Sequence, residues 1–472
     1  MRGVHLLRFD ALSWTGLNSL RDKFIHSRIF QAAGLSLVAQ LLSQVIRLGG
    51  NLIMTRLLAP EMFGLMSVVL VFQMILGQIS DIGLRPAIIQ SRRGDDPVFL
   101  NTVWTIQVLR GVGMVIACVA IAGAIHIAAS FGAFRADSAL SSPELPVVLI
   151  VTSLAAAIAS FQSSNHITAS RNLSLRGIII IDLIAQVAGL LVMIALGFLT
   201  GSIWSLVAGG FFSAATSTAL SHMYLPGISN RFMLNREALA EIYKFGIWIL
   251  ASSTASVIAA NMDRAYLGAV ISATTLGIYA IALNLYSAVD GLISRLFEGV
   301  VLPVLSDASR TSSARLREQL SRIRPPFDIW YLGTAGLLFA LGPSIIQFLY
   351  DDRYASAGAM LQILSFSLIF ARFNVFNVAY MAVGKPEYQA IISIAKLVAA
   401  ALMLPTLFTY FGLEGAVYAV SLHPIAVLPL HFLFVRRLGL LDLKYEILVL
   451  PAWPAGYLAG LAFLELLHLI TA

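Results

Sequence analysis

Ser36-Leu-Val-Ala-Gln40-Leu-Leu-Ser43-Gln-Val-Ile-Arg47-Leu-Gly-Gly-Asn51-Leu-Ile-Met-Thr55 is an apolar stretch with a polar stripe. At about 100° per residue, Ser36, Gln40, Ser43, Arg47, Asn51 and Thr55 fall within a third of a helix circumference. The other face is Leu, Val, Ile and Ala. Such a helix offers lipid one side and something wet or charged the other. A cation at mid-bilayer costs on the order of 3 kcal/mol on insertion scales. Arg47 is therefore expected to face protein or a water-filled cavity. A membrane chain that lines a cavity with arginine reads most simply as one that binds or moves an anion.

Working outward, apolar runs of this length repeat to the end of the chain. Of 472 residues, 58% are hydrophobic and 12% charged, against about 25% charged in soluble domains; the mean hydropathy is +0.85. The class this predicts is all-α and polytopic, because long unbroken apolar runs are helical spans while barrel strands alternate. Spans are placed near 33–57, 63–84, 100–126, 146–165, 177–199, 203–222, 246–269, 274–297, 328–349, 357–382, 388–408, 413–435 and 447–469. The lone Cys118 excludes an intrachain disulfide and a thiolate metal site. Residues 1–32 are mixed and basic and do not read as a signal peptide.

The net charge of +7 is first a topology signal. With these spans, the loops on one side carry the cations, from Arg85, Arg92 and Arg93 through Arg310, Arg315, Arg317, Arg322 and Arg324 to Arg436, Arg437 and Lys444. The opposite loops hold essentially Arg135 and Arg353. The positive-inside rule then puts the N-terminus in the cytoplasm, and no nucleic-acid partner is expected.

Two halves are visible. Phe63-Gly64-Leu65 opens the second span and Leu276-Gly277-Ile278 the eighth, a constant offset of 213 residues. Each follows a span carrying an arginine, Arg47 or Arg264, and each half has six spans. Six-plus-six repeats are a transporter pattern with the ligand between the halves. The expected division is a cytoplasmic segment 1–32, an N-lobe 33–222, a cytoplasmic linker 223–245, a C-lobe 246–435, and a loop plus C-terminal hydrophobic helix 436–472. Asn235–Tyr243 is capped and amphipathic, a surface helix in expectation. Ser306–Asp328 carries five arginines and is read as a solvated or lipid-headgroup face. Pro451 and Pro454 interrupt the start of the last span, which reads as re-entrant or peripheral as readily as crossing.

Charges recur inside the spans: Asp81, Arg110, Asp182, Asp263, Arg264, Asp290, Arg295, Arg372 and Lys396. Polar stripes accompany several of them, as with Asn284, Ser287, Gly291 and Arg295, or Gln389, Ser393 and Lys396. Arg295 lies near its span's end and is equally placed to snorkel to headgroups. Adjacent Asp263 and Arg264 point about 100° apart, so one is expected to face the cavity and the other a neighbouring helix. Arg47, Arg264, Arg372, Lys396 and Arg110 are the candidate cavity cations, with Gln40, Ser43, Asn51 and Asn261 as polar lining. Such a cavity suits a phosphate or diphosphate, which arginine grips through two parallel hydrogen bonds. No P-loop, HExxH or other metal-ligand spacing occurs, so no metal, no cofactor and no catalytic set are expected.

Thr55-Arg-Leu-Leu-Ala-Pro-Glu-Met-Phe-Gly64 followed by Asp81-Ile-Gly-Leu-Arg-Pro-Ala-Ile-Ile-Gln90 resembles bacterial polysaccharide flippases. The branch it is similar to is the Wzx/WzxC-like one of the multidrug/oligosaccharidyl-lipid/polysaccharide exporter superfamily. Asn261-Met-Asp-Arg-Ala-Tyr-Leu-Gly268, Leu276-Gly-Ile-Tyr279 and Pro303-Val-Leu-Ser306 resemble that branch's later signatures. The resemblance implies two six-helix lobes in a pseudo-two-fold V around a cationic cavity, here with an extra C-terminal helix. It implies carriage of an undecaprenyl-diphosphate-linked oligosaccharide across the bacterial inner membrane by alternating access, for exopolysaccharide, capsule or O-antigen assembly. Membrane lipids and a polysaccharide polymerase or other assembly proteins would be partners. Asp263 and Asp290 are the candidates for ion or proton coupling. The competing readings are a lipid II flippase, a small-molecule exporter of the same superfamily, and, in another class, a membrane-bound ligase or polymerase acting on the same carrier.

Overall fold

A computed structural model describes residues 28–471 except 82, 83, 85–87, 89, 90, 92 and 173; side chains at 28–33, 241–253, 296–300, 302, 303 and 471 are also undescribed. The basic N-terminal segment, Arg85, Arg92, most of the Asp81–Gln90 motif, and the side chains of Lys244 and Pro303 lie outside the described residues. The rest is helical, with one isolated β-bridge between Ser138 and Ser272.

In order, the helices are α1 (Arg28–Leu57), α2 (Pro60–Ser80), α3 (Pro97–Ser130), α4 (Leu145–Ser160), α5 (Asn165–Arg171), α6 (Leu175–Thr200), α7 (Trp204–Tyr224) and α8 (Arg236–Val270). Then come α9 (Ala273–Thr311), α10 (Ser313–Leu349), α11 (Ala357–Ala371), α12 (Asn374–Ala382), α13 (Pro386–Leu422), α14 (Leu428–Arg437), α15 (Leu443–Leu448) and α16 (Ala452–Thr471). Among the described residues, nine segments are long and apolar enough to cross a membrane, or ten if α4 and α5, bent by 60°, make one. Each of the thirteen expected spans overlaps a helix among the described residues, and the chain is a multi-pass membrane protein.

Local chemistry sets the boundaries. Ala59 sits before Pro60 in extended conformation, which ends α1 and starts α2 with a proline at its first turn. Side-chain oxygens of Asp96, Asn235, Ser272 and Ser312 accept from the first-turn amides of α3, α8, α9 and α10. Gly412, at φ +61°, breaks α13 where the eleventh and twelfth spans were expected to part. One expectation is corrected: the helix over Asn235–Tyr243 is the beginning of α8. The arginine-rich 306–328 stretch belongs to α9 and α10; its Arg310, Arg315, Arg317 and Arg322 are exposed, while Ala308, Leu316 and Leu320 pack into a core and Arg324 is buried.

In the first lobe α6 packs on α1 and α7, and α4 packs on α3 and α7; in the second, α10 packs on α9 and α11, and α8 on α13. The lobes meet through α2, which lies against α8 and α9. There the repeat becomes geometry: a Cβ on Gly64 would overlap the carbonyl of Ala273, and a Cβ on Gly277 would overlap that of Pro60. Pro60 and Ala273 are themselves 213 residues apart, so the contact is reciprocal about a pseudo-two-fold axis. A shared core runs through this end, from Met54, Phe63 and Val68 to Leu276, Tyr279 and Tyr354.

Loops reinforce the same end reciprocally. Asp137 O accepts from Ala273 N (3.0 Å) and Arg135 N donates to Ala269 O (3.4 Å). The Arg353 guanidinium, paired with Asp351 at 2.6 Å, donates to Thr55 O (2.7 Å) and Leu58 O (3.2 Å). Each lobe thus holds the end of the other's first span. The last helix lies at the outside of the bundle but is firmly seated: α16 packs on α10, where Cβ atoms on Gly336 or Gly456 would strike the facing backbone at Trp453 and Gly333. Trp453 also stacks on Phe366, 6.2 Å between centroids.

Candidate functional site

Arg47 projects, exposed, from the polar stripe of α1 and bonds only Gln44 of its own helix. Arg295, exposed on α9 of the other lobe, is close enough for its charge to act on Arg47. Among the described residues neither forms an ion pair. The stripe divides its labour. Ser43 faces its own lobe, donating to Gln186 Oε1 (2.7 Å) while the Gln186 amide donates to Ser43 O (2.9 Å). Gln40 and Asn51 are half-buried.

Four further candidates meet in the second lobe. A cavity of about 560 Å³ between α8, α9, α11, α12 and α13 is lined by Asp263, Arg264, Asp290 and Lys396. Asp263 Oδ2 accepts from the buried Tyr279 hydroxyl. Arg264 bonds the Asn261 side chain, whose amide is anchored on Val257 O at 2.7 Å. Asp290 attracts the Lys396 ammonium. Asp263 Oδ1 and Arg264 Nε are buried with no hydrogen-bond partner. The signs in this cavity are mixed, two cations with two carboxylates, where the sequence pointed to a cationic excess.

Arg110 and Arg372 are placed differently. Arg110 pairs with Asp81 at 3.4 Å, both partly exposed. Arg372 borders a second compartment of about 330 Å³, but its charge is spent. Its guanidinium lies 2.9 Å from Glu446 and 3.5 Å from Asp328. Arg324 meets the same acids, at 2.9 Å to Asp328 and 3.0 Å to Glu446 Oε2. Tyr445 donates to Asp328 at 2.8 Å. All four charged side chains are at most 7% exposed, so the network is a neutral buried unit that ties α15 to α10 and to the junction of α11 and α12.

Sequence reasoning missed Glu446, Arg324 and the amides Asn374 and Asn377, which line the cavity beside Gln389 of the expected polar stripe. Arg324 stood in an arginine run that looked solvated. The signal for Asn374 and Asn377 was available, two amides three residues apart beside an intramembrane arginine. Among the described residues no group of three or more His, Cys, Asp or Glu side chains is placed to hold a metal ion.

Comparison with known proteins adds the following. The family model described as "Polysaccharide biosynthesis protein" matches residues 53–357. The succinoglycan biosynthesis transport protein ExoT of Rhizobium meliloti (strain 1021) is 22% identical over 324 residues, 67% of this chain and 61% of its own length. The chain thus spans under two thirds of that relative. In fold it resembles an inward-facing multidrug resistance MATE transporter of the MOP superfamily, with a TM-score of 0.65 at 14% identity, covering 84% of this chain and 94% of that one. It also resembles the lipid II flippase MurJ in an inward closed conformation, at TM-score 0.65 and 13% identity, covering 90% and 98%. At such identities the likeness is one of fold.

Proposed function

Because the chain belongs to the family of polysaccharide biosynthesis proteins and has the fold of MOP-superfamily transporters, we propose that it translocates undecaprenyl-diphosphate-linked oligosaccharide across the bacterial inner membrane. The observation that carries this reading is Arg47, exposed on the polar stripe of the first lobe, with Arg295 exposed on α9 of the other lobe and its charge acting on Arg47, and, among the described residues, no carboxylate paired to either. Two guanidinium groups held in repulsion are stabilised by a dianionic group between them, and a diphosphate presents oxygens to both.

The reciprocal contacts close one end of the molecule. By the distribution of arginines that end faces outward and the N-terminus lies in the cytoplasm. Diphosphate entering from the cytoplasmic side would bind between the lobes while the polyprenyl tail stays in lipid. Exit requires the Gly64–Gly277 contact and both loop contacts to part, an alternating-access step. Arg264 and Lys396 lie deeper and would meet the head group beyond the diphosphate. Asp263 and Asp290, in the cavity lining, would couple a proton or cation to that step. Arg372 serves to order the broken span.

The test is the sidedness of lipid-linked oligosaccharide in cells depleted of the protein. Intermediates trapped on the cytoplasmic leaflet support translocation, and Arg47→Glu should reproduce the trap with the protein still inserted. Intermediates displayed normally outside overturn the reading and favour a ligase, polymerase or small-solute exporter.

A further inference from the structure

Both lobes interrupt the helix of their fourth span at corresponding places, sharply between α4 and α5, which are bent by 60°, and more gently between α11 and α12, which run on as one span. In the first lobe a strap of chain closes the break. Asn165 donates to Ile228 O (3.0 Å) and accepts from Ile228 N (3.0 Å). Asn230 accepts from the Ser163 hydroxyl (2.9 Å) and donates to Ser164 Oγ (2.7 Å). In the second lobe the break borders a cavity. Asn374 and Asn377, 3.4 Å apart there, line the 560 Å³ cavity together with Gln389. The same three amides line the adjoining compartment, so the two spaces are continuous through them.

The chemistry of the lining restricts the ligand. Asn377 Oδ1, Asp263 Oδ1 and Arg264 Nε are buried without a partner, and such atoms are costly unless a ligand or water bonds them. A bare anion entering here meets Asp263 and Asp290; a bare cation meets Arg264 and Lys396. A neutral polyhydroxyl ring satisfies all of them, because each hydroxyl both donates and accepts, as amides do. The side chains of Tyr286 and Phe370 supply apolar faces on the same wall. The volume lies within the roughly 300–1,000 Å³ of small-ligand sites.

We propose that this one-sided chamber of the second lobe binds neutral hexose of the cargo glycan, while the diphosphate stays between the lobes at Arg47 and Arg295. The inference rests on the flippase reading. It makes the two lobes unequal: one is a structural mate, the other reads the sugar.

The test uses the full chain in lipid nanodiscs with two probes, undecaprenyl diphosphate and undecaprenyl diphosphate carrying one glucose, each titrated for Kd. The wild type should hold the glucosylated carrier about tenfold tighter. Asn377→Leu and Gln389→Leu should each erase that advantage and leave the Kd for the bare carrier unchanged. Should either leucine variant lack a melting transition, Ser393→Ala takes its place, with a loss of about threefold on the glucosylated carrier alone. Equal affinities in the wild type, an unaltered preference in the variants, or equal weakening of both carriers overturns the sugar site. Failure of the wild type to bind either carrier overturns the flippase reading itself.

Discussion

The two broken spans are the same device held in two ways. Around α4 and α5 the buried Ser163, Ser164 and Asn165 are bonded by neutral side chains and backbone of the 225–230 strap. Around α11 and α12, Arg372 sits at the break itself and is gripped by Glu446 and Asp328, with Arg324 completing the network. Neutral hydrogen bonds cross the first break, with the His166 ring beside it 3.7 Å from Asp182. The ionic network holds the second from the outside and leaves its amides facing a cavity. A break is thus made rigid without being filled, which is what a binding wall requires. The difference also gives the extra helical segment a purpose, since Glu446 and Tyr445 on α15 supply one side of the clamp.

The sharpest way to break this comparison is Glu446→Ala. It strands two buried guanidinium groups on one remaining carboxylate, and losing one partner of a buried pair costs about 3–5 kcal/mol. A clear fall in the melting temperature of the detergent-solubilised protein is the expected outcome. Replacing Arg372 and Glu446 together by Met and Leu should recover most of it, because no unpaired charge remains. If the single variant melts like the wild type, the network is not what holds the second break.

That clamp also marks where sequence reasoning stops. Membrane spans were legible because apolar length alone specifies them, and the lobe contact was legible because Gly64 and Gly277 keep one offset. Arg372 was read as a cavity cation because its depth was visible and its partner was not. Glu446 lies far along the chain, beyond Leu440, outside the twelve expected spans of the two lobes. Neutralisation is a property of distance in space, and a single sequence prints only distance along the chain. Arg295 is the opposite case: its place near a span end offers snorkelling, and the fold also brings its charge within range of Arg47.

Gly277→Ala probes the feature that the lobes share. Its Cβ would overlap the Pro60 carbonyl, backbone that cannot rotate away. Overpacking of this kind costs about 1–3 kcal/mol, and here it should be relieved by parting the closed end. Labelling of a cysteine placed at Leu58 should therefore accelerate from the outer side. Gly64→Ala should act alike, since the contact is reciprocal. Different effects from the two would show that the pseudo-symmetry is only approximate there.

In the first lobe, Asn165→Ala leaves the Ile228 amide without its acceptor. The expected loss is about 1–3 kcal/mol, smaller than that of Glu446→Ala because no charge is stranded. Asn230→Ala on top of it should add little, since both belong to one network and coupled deletions are not additive. Equal losses from Asn165→Ala and Glu446→Ala would erase the distinction between neutral and ionic closure.

The smallest effect concerns the loop contacts. The hydrogen bond from Arg353 holds the Asp351 carboxyl below its ordinary 3.8, against a weaker opposing effect of burial. A folded-state value below the unfolded one contributes stability that is present above the ordinary value and is lost as pH falls through the folded value. At neutral pH the pair is therefore fully formed, and acidification below about 3.8 should loosen it and release Arg353 from Thr55 and Leu58. Both side chains of the pair are about a third or more exposed, so solvent screening keeps the effect modest. Melting temperatures of wild type and Asp351→Asn, followed from neutral pH downward, should differ above pH 4 and converge below it. A constant difference across that range would mean that Asp351 acts on the closed end through packing, with its charge incidental.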